Sequence, residues 1–304
     1  MFLLRHIKTL PINLDQSMTE ALLLQPHNQS EKMLTIFRTV RKPMFAGKLY
    51  PEQPDVLADM IDRACSEAST ENIGEIKAML LPYSSYDELL PLLAKAYKQV
   101  ENTAPDLVVF IAPAVDAFHR IAMSGFAAFE TPLGKVELSD YVRNELCDED
   151  DDFFISEEGL PKGYSIETQL PILQRTIGRH APFKILPILM GEQTVDLCDE
   201  TAAALSEVLM SKKVLVIGHC NFNAAYQGEV MQNYLSALEA LNYDELMRYA
   251  VIHGKKFGTG LGIAAIVARV ARQLSAKRVS KIAELLSSNK ENLYLAVSFS
   301  KSTN

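Results

Sequence analysis

The stretch Leu-Val-Val-Phe-Ile-Ala, residues 107–112, is apolar at every position and has a proline within two residues on either side. A fully apolar run of this length is typical of a strand that is buried on both faces of a sheet. The flanking prolines mark its ends, because proline has no N–H group to donate within a sheet. The stretch therefore predicts a central strand with helices packed on both sides, as in α/β proteins.

Four further apolar runs predict strands at residues 76–81, 183–189, 213–218 and 293–299. The segments between the runs carry apolar residues at helical spacing, as at Leu57, Ile61 and Ala64. The predicted helices cover residues 54–69, 86–100, 167–177, 195–210, 232–241, 244–253, 262–274 and 279–287. This alternation predicts an α/β fold with a mixed, mostly parallel central sheet and helices on both faces.

Length and composition fit one large domain with an extension. The chain has 304 residues, of which 48% are hydrophobic and 22% charged, as in ordinary globular proteins. Residues 1–40 are irregular, and they include two prolines and the polar stretch 27–32. We therefore predict an N-terminal extension over residues 1–40 and a single α/β domain over residues 41–304.

Charge, hydropathy and cysteine usage exclude several classes of protein. The net charge is −8, so the sequence lacks the basic surface expected of a nucleic-acid-binding protein. No apolar stretch reaches the roughly 18 residues that a membrane-spanning helix needs. Cys65, Cys147, Cys198 and Cys220 show no CxxC spacing and are predicted to be free thiols, which indicates a cytoplasmic protein.

Seven motifs, in this order, resemble those of the Memo-like family, also called AmmeMemoRadiSam system protein B. They lie at residues 42–51 (KPMFAGKLYP), 80–86 (LLPYSSY), 110–115 (FIAPAV), 131–134 (TPLG), 163–171 (GYSIETQLP), 183–189 (FKILPIL) and 257–260 (FGTG). That family is related in fold to the extradiol ring-cleaving dioxygenases. The resemblance implies the same fold over about residues 41–299.

The resemblance also implies a metal site of His, Asp and Cys ligands, and this chain departs from it at the ligand positions. The matching positions hold Tyr83, Val115, Leu160, Tyr164, His219, Phe222 and Phe257. Val115, Leu160 and Phe257 offer no metal-binding atom, and two tyrosines alone make a poor site. The neighbouring motif residues still match. They are Pro82, Tyr86, Pro113, Ser165, Glu167, Leu170 and Pro171. We therefore predict a degenerate site that holds no metal and needs no cofactor.

The same positions predict a ligand-binding cleft. Its candidate residues are Tyr83, Tyr86, Val115, Asp116, His119, Tyr164, Glu167, His219 and Phe257. Apolar side chains at former ligand positions favour packing or an apolar ligand over an ion. The first functional hypothesis is a non-catalytic binding or scaffold role. The sequence is compatible with a small-molecule ligand, a protein partner or a homo-oligomer, and identifies none of them.

The second hypothesis is an enzyme, in one of two forms. His219 and Cys220 follow the predicted strand 213–218, and strand ends in α/β sheets face the ligand crevice. In the first form Cys220 is a nucleophile without a metal, although neighbours on an extended chain point to opposite faces. In the second, Asp116, His119 and His219 rebuild the ligand set of a metal-dependent, dioxygenase-like oxidoreductase.

A glycine-rich segment at residues 257–263, Phe-Gly-Thr-Gly-Leu-Gly-Ile, precedes the predicted helix 262–274. Free N–H groups at a helix N-terminus are able to bind an anion. The other interpretation is that the loop packs closely beneath the cleft because it lacks side chains. The family resemblance favours close packing.

Overall fold

The computed structural model of the protein describes residues 39–114, 118, 120–157 and 164–302. The predicted extension over residues 1–40 lies almost wholly outside these ranges, so its boundary stays a prediction. None of the described helices is long and apolar enough to cross a membrane.

The described strands form one large and one small sheet. They are β1 (Val40–Arg41), β2 (Ile76–Leu81), β3 (Leu107–Pro113), β4 (Ile121–Met123), β5 (Ala128–Thr131), β6 (Gly134–Glu137), β7 (Phe153–Ile155), β8 (Lys184–Met190), β9 (Val214–His219), β10 (Asn221–Asn223), β11 (Gly258–Thr259), β12 (Arg278–Leu286) and β13 (Asn292–Ser300). Strands β1, β5 and β6 form the small sheet, and the other ten form the large one.

Helices separate several of these strands along the described chain. They are α1 (Pro54–Glu67), α2 (Tyr86–Lys98), α3 (Asp140–Glu149), α4 (Tyr164–Glu167), α5 (Leu170–Arg175), α6 (Val195–Leu209), α7 (Glu229–Glu239), α8 (Tyr243–Phe257) and α9 (Leu261–Gln273). Two short 3₁₀ turns occupy Ile177–Arg179 and Ala224–Tyr226.

The centre of the large sheet is parallel and its flanks are antiparallel. Strands β2, β9, β3 and β8 lie side by side in that order, and all three of their pairings are parallel. Strand β13 then pairs antiparallel with β2, and β4 pairs antiparallel with β8. The predicted mixed sheet of an α/β fold is therefore confirmed.

Both faces of the central strands are buried, which explains their uninterrupted apolar sequence. In β3, Val109 and Ile111 belong to one core, shared with helices α6 and α9. Val108 and Phe110 point the other way, into a core shared with α1 and α2. Burying each such side chain contributes about 1.5–3 kcal/mol to folding, so helices on both sides stabilise this strand.

One predicted helix, residues 279–287, is wrong, because the segment forms strand β12. It pairs antiparallel with β13 over almost its whole length. The apolar residues Val279, Ile282 and Leu285 recur every third position, which imitates a helical stripe. A register shift between Lys281 and Ala283 accommodates this spacing within the strand, and pairing with β13 overrides the local pattern.

Two smaller differences concern helices. The single helix predicted for residues 167–177 is divided into α4, α5 and a 3₁₀ turn. Pro171 lies in the first turn of α5, where its missing N–H group is tolerated, so it begins a helix there. Helix α3 was not predicted, because its sequence is mostly polar and only three of its residues are buried.

Candidate functional site

An open cleft of about 620 Å³ lies where strands β3 and β8 end. Ligand crevices of α/β sheets are found at the carboxyl ends of the parallel strands. The described wall consists of Tyr83, Pro113, Ala114, Ser165, Gly191, Glu192, Gln193, Thr194, Ala250, Gly254, Lys255, Gly258, Thr259, Gly260, Leu261 and Gly262. Nine of these sixteen residues are glycine, alanine, proline or leucine, and the other seven carry polar side chains.

The glycine-rich segment forms the floor of the cleft by packing on strands β9 and β10. A Cβ atom at Gly258 would lie 2.4 Å from the carbonyl oxygen of Asn221. At Gly260, where φ is +82°, it would lie 2.2 Å from the carbonyl oxygen of His219. Both contacts are far too short for a side chain, so close packing accounts for these two glycines.

The N-terminus of α9, which opens onto the cleft, already has a hydrogen-bond acceptor. The side-chain oxygen of Gln193 accepts from the N–H groups of Gly262 at 3.0 Å and Ile263 at 3.4 Å. These amides are among the groups that would otherwise bind an anion at a helix N-terminus. The anion-binding interpretation of this loop is thereby disfavoured.

Tyr83, a predicted cleft residue, stands in the wall and is held from two sides. Its backbone N–H donates to the side chain of Asn221 at 3.1 Å, and its carbonyl accepts from the same amide at 3.0 Å. Its hydroxyl is 2.9 Å from the hydroxyl of Thr259. A second cavity of about 930 Å³ adjoins the cleft. Both spaces share the wall of Tyr83, Lys255, Gly258 and Thr259.

His219, at the end of β9, is fully buried behind the cleft rather than in its wall. Its ring lies 5.7 Å from that of Phe110 and 5.9 Å from that of Tyr83. Neither ring nitrogen has a hydrogen-bond partner within the described part of the chain. Burial lowers the pKa of His219 to about 3, so the imidazole is neutral at neutral pH.

Cys220 lies in the core that the sheet shares with helices α6 and α9, with only 1% of its surface exposed. Burial raises the pKa of its thiol well above the usual range. A buried thiol of this kind is a weak nucleophile, because the reactive form is the thiolate. His219 contacts Phe110 in the other core, so the two candidate catalytic groups face away from each other.

Two positions that the family resemblance assigns to metal ligands, Phe222 and Phe257, contact each other inside an aromatic cluster. Their ring centroids are 5.6 Å apart, and Phe257 is fully buried. We use "aromatic cluster" for the six rings of Phe222, Tyr226, Tyr234, Tyr249, His253 and Phe257. Phe257, predicted as a cleft residue, is thus placed in this cluster and outside the described wall.

The described side chains at these positions do not fit a metal ion. The two phenylalanines have no lone pair to donate, and His219 faces rings rather than other ligands. Over the described ranges, no three His, Cys, Asp or Glu side chains come together as a possible metal site. These described residues therefore do not supply the donor set that the resemblance implies.

Glu167 is buried away from the cleft wall and holds the segment of the first motif. Its Oε1 atom accepts from the N–H groups of Met44 at 2.9 Å and Phe45 at 2.8 Å, and from the hydroxyl of Tyr50 at 2.7 Å. Its Oε2 atom pairs with Arg41 at 2.6 Å. The carboxylate therefore connects the chain around residues 41–50 to helix α4.

Tyr86 belongs to the same packed region. It is 2% exposed, and its ring lies 5.8 Å from that of Tyr50. Its N–H group donates to the carbonyl of Leu49 at 2.8 Å. The structure thus places both Tyr86 and Glu167, two predicted cleft residues, among structural contacts.

Ser165 and Lys255 stand in the wall, although sequence reasoning did not propose them for the site. Ser165 is only 3% exposed, yet its Oγ atom has no partner in the described structure. Lys255 follows Gly254, whose φ of 50° and ψ of −144° interrupt α8. Ser165 sits inside the motif at 163–171, which was the available signal. For Lys255 the only hint was the glycine before it.

Several predicted residues lie outside the described residues. They are Val115, Asp116, His119, Leu160 and the side chain of Tyr164. The hypothesis that Asp116 and His119 rebuild a metal site with His219 therefore stays a prediction.

Comparison with known proteins shows sequence similarity to one protein family. A sequence profile described as "Memo-like protein" matches residues 41–299. A MEMO1 family protein from Nitrosopumilus maritimus is 25% identical over 246 residues, covering 78% of this chain and 89% of that protein. A MEMO1 family protein from Aquifex aeolicus is 29% identical over 222 residues, covering 70% of this chain and 79% of that protein.

A solved structure resembles the fold. It is the crystal structure of the uncharacterized protein JW3007 from Escherichia coli K12, with a TM-score of 0.50 and 10% sequence identity. The match covers 74% of this chain and 99% of that one. At this identity the likeness concerns the fold alone.

Proposed function

The chain belongs to the Memo-like family, and from this premise we propose that it is a member without a metal centre that binds a small molecule in its cleft. In this proposal the role is one of binding and not of catalysis. The bound molecule sits at the carboxyl ends of the central strands, beside the positions where the resemblance implies ligands.

The observation that carries the proposal is the contact between Phe222 and Phe257. Their rings are 5.6 Å apart at two positions where the resemblance implies a histidine and a cysteine. Aromatic pairs at this separation stabilise a core beyond the area that they bury. The two positions now contribute packing energy, and no donor atom is left on either of them.

The cleft itself supports a small-molecule role. Its volume of about 620 Å³ lies within the roughly 300–1,000 Å³ typical of ligand sites. Such sites combine a mainly apolar wall with a few polar groups that orient the ligand. The wall here has that composition, with Tyr83, Ser165 and Lys255 among its polar side chains.

The metal-free enzyme hypothesis receives less support. Cys220 is buried with a raised thiol pKa, and His219 is held neutral in the other core. A cysteine nucleophile needs an accessible thiolate with a base within hydrogen-bond reach. Neither condition fits the surroundings of these two residues.

Metal analysis tests the proposal and the rebuilt-ligand alternative together. The full chain is incubated with iron(II), copper(II) or zinc(II), dialysed and measured by elemental analysis and by thermal melting with and without a chelator. We expect far less than one ion per chain and an unchanged melting temperature, because a tightly bound ion would stabilise the native state. One ion per chain that is lost in His219→Ala would overturn the proposal.

Binding is tested with N-phenyl-1-naphthylamine, an uncharged fluorescent probe with an apolar body. We expect one site per chain that is blocked by Ala250→Trp, which fills the cleft. Val251→Trp is the matched control, because Val251 is the next residue of α8 and is 65% exposed. Binding that both tryptophan variants leave unchanged would mean that the probe binds elsewhere and that the cleft is not a site for it.

A further inference from the structure

We propose that the natural ligand of the cleft is an organic anion whose apolar body occupies the cleft and whose charged group pairs with Lys255, with Ser165 supplying a hydrogen bond. The inference rests on the proposed function, because it assigns the chemistry of the molecule bound there. It concerns the shared chemistry of organic carboxylates, sulfonates and phosphates, and not one compound.

The two charged side chains of the described wall, Lys255 and Glu192, differ in their partners. Lys255 is in the wall and makes no ion pair with any described residue. Glu192 also stands in the wall, but it already interacts with another group. An exposed lysine in the wall of a mainly apolar cavity, with no ion pair to a described residue, is available to pair with a negatively charged group of a ligand.

The hydroxyl of Ser165 is the second, independent observation. Ser165 is on the cleft wall, and its hydroxyl is almost fully buried and has no hydrogen-bond partner in the described structure. Buried hydroxyl groups are nearly always paired, since a missing partner costs stability. An oxygen of a ligand in the cleft would accept this bond and remove that cost.

The N-terminus of α9 does not supply the positive charge that would pair with the ligand. That role falls to Lys255. Gln193 already accepts from the N–H groups of Gly262 and Ile263 at the start of α9. The remaining wall presents mainly backbone and small apolar side chains such as Pro113, Ala114 and Leu261. These surfaces suit a hydrocarbon or aromatic body rather than a free inorganic ion.

The test compares two probes that share a skeleton and differ in charge. They are 8-anilinonaphthalene-1-sulfonate, which is anionic, and uncharged N-phenyl-1-naphthylamine. In Lys255→Gln we expect affinity for the anionic probe to fall about three- to fivefold, as for a solvent-exposed charge pair. Affinity for the uncharged probe should stay within twofold of the original value.

Three further variants make the test specific. Lys256→Gln removes the neighbouring charge, which is not in the wall, and should leave both affinities unchanged. Lys255→Arg keeps the charge and should retain the affinity for the anionic probe. Ser165→Ala should weaken the anionic probe about two- to fivefold without lowering the melting temperature of the ligand-free protein, because it removes an unpaired hydroxyl.

The outcomes separate this inference from the proposed function. If Lys255→Gln and Lys256→Gln bind the anionic probe equally well, the inference is wrong, while blocking of the uncharged probe by Ala250→Trp would still support the cleft as a binding site. If Ala250→Trp blocks neither probe, the proposed function fails and the inference fails with it.

Discussion

Glu167 and His219 are both removed from solvent, with exposures of 1% and 0%, and they are surrounded in opposite ways. The carboxylate of Glu167 accepts four hydrogen bonds from the segment 41–50. The imidazole of His219 contacts the rings of Phe110 and Tyr83 and has no hydrogen-bond partner among the described residues.

The difference distinguishes two structural roles that a buried polar residue can have. A buried charge is tolerated when donors replace the lost water, and it then fixes the segments that supply them. A buried neutral ring without partners is tolerated as an apolar group would be, at the cost of its unpaired nitrogens. Both residues were predicted for the cleft from their motifs, and burial alone does not tell the two roles apart.

The largest expected effect tests the Glu167 side of the comparison. Glu167→Gln removes the charge that balances Arg41, whose guanidinium group is itself only 5% exposed. We expect the free energy of unfolding to fall by about 3–5 kcal/mol, because one member of a buried ion pair is left alone. Urea unfolding of the wild type and of Glu167→Gln at pH 7 measures this loss of stability.

The control for this variant is Glu130→Gln, which breaks the pair with the exposed Lys42. This surface pair should contribute little to stability. If the two variants lose the same stability, the four bonds to Glu167 are not what holds the first motif in place.

The second effect is a dependence on pH that belongs to His219. Its folded-state pKa of about 3 is below the roughly 6.5 of an unfolded histidine, so the unfolded state binds the proton more readily. The contribution of the neutral His219 to the free energy of unfolding is therefore fully present above about pH 6.5 and is lost as the pH falls toward 3. Between pH 7 and pH 5 the loss is about 2 kcal/mol.

Urea unfolding of the wild type and of His219→Phe at both pH values isolates this contribution from that of the acidic groups. The phenylalanine variant should lack this part of the pH dependence. An identical loss in both proteins would show that His219 is protonated as easily in the folded state as in the unfolded one.

The smallest expected effect is that of His219→Phe at pH 7. The ring lies in an aromatic environment and gives up no hydrogen bond to a described residue. We expect a change in the free energy of unfolding within about 1 kcal/mol in either direction, because the lost ring contacts are offset by removal of the unpaired nitrogens. A loss as large as that of Glu167→Gln would mean that His219 has a polar partner after all.

The sequence predicts the fold best where one local signal dominates. The run at 107–112 and the predicted strand at 76–81 match β3 and β2 almost residue for residue, because burial on both faces leaves an uninterrupted apolar run. Strand β12 was missed because its apolar residues are spaced like those of a helix and its pairing depends on β13. Strands β10 and β11 are too short to have a periodic pattern at all.

The site is harder to predict, because its features depend on contacts between distant segments. The motif around Tyr83 predicts that residue for the cleft, and Tyr83 lines the described wall. The unpaired hydroxyl of Ser165 and the unpaired charge of Lys255 are visible only when their neighbours in space are known. The same is true of the ring contact between Phe222 and Phe257, which lie 35 positions apart in the chain.

The hydrogen bond between the hydroxyls of Tyr83 and Thr259 has a consequence for the size of molecule that the protein accommodates. These two side chains are part of the wall common to both cavities. If the bond opens and Tyr83 changes rotamer, the part of the common wall that Tyr83 forms is removed, and the passage between the two spaces widens. This pair of hydroxyls therefore helps to set the length of the longest molecule that fits.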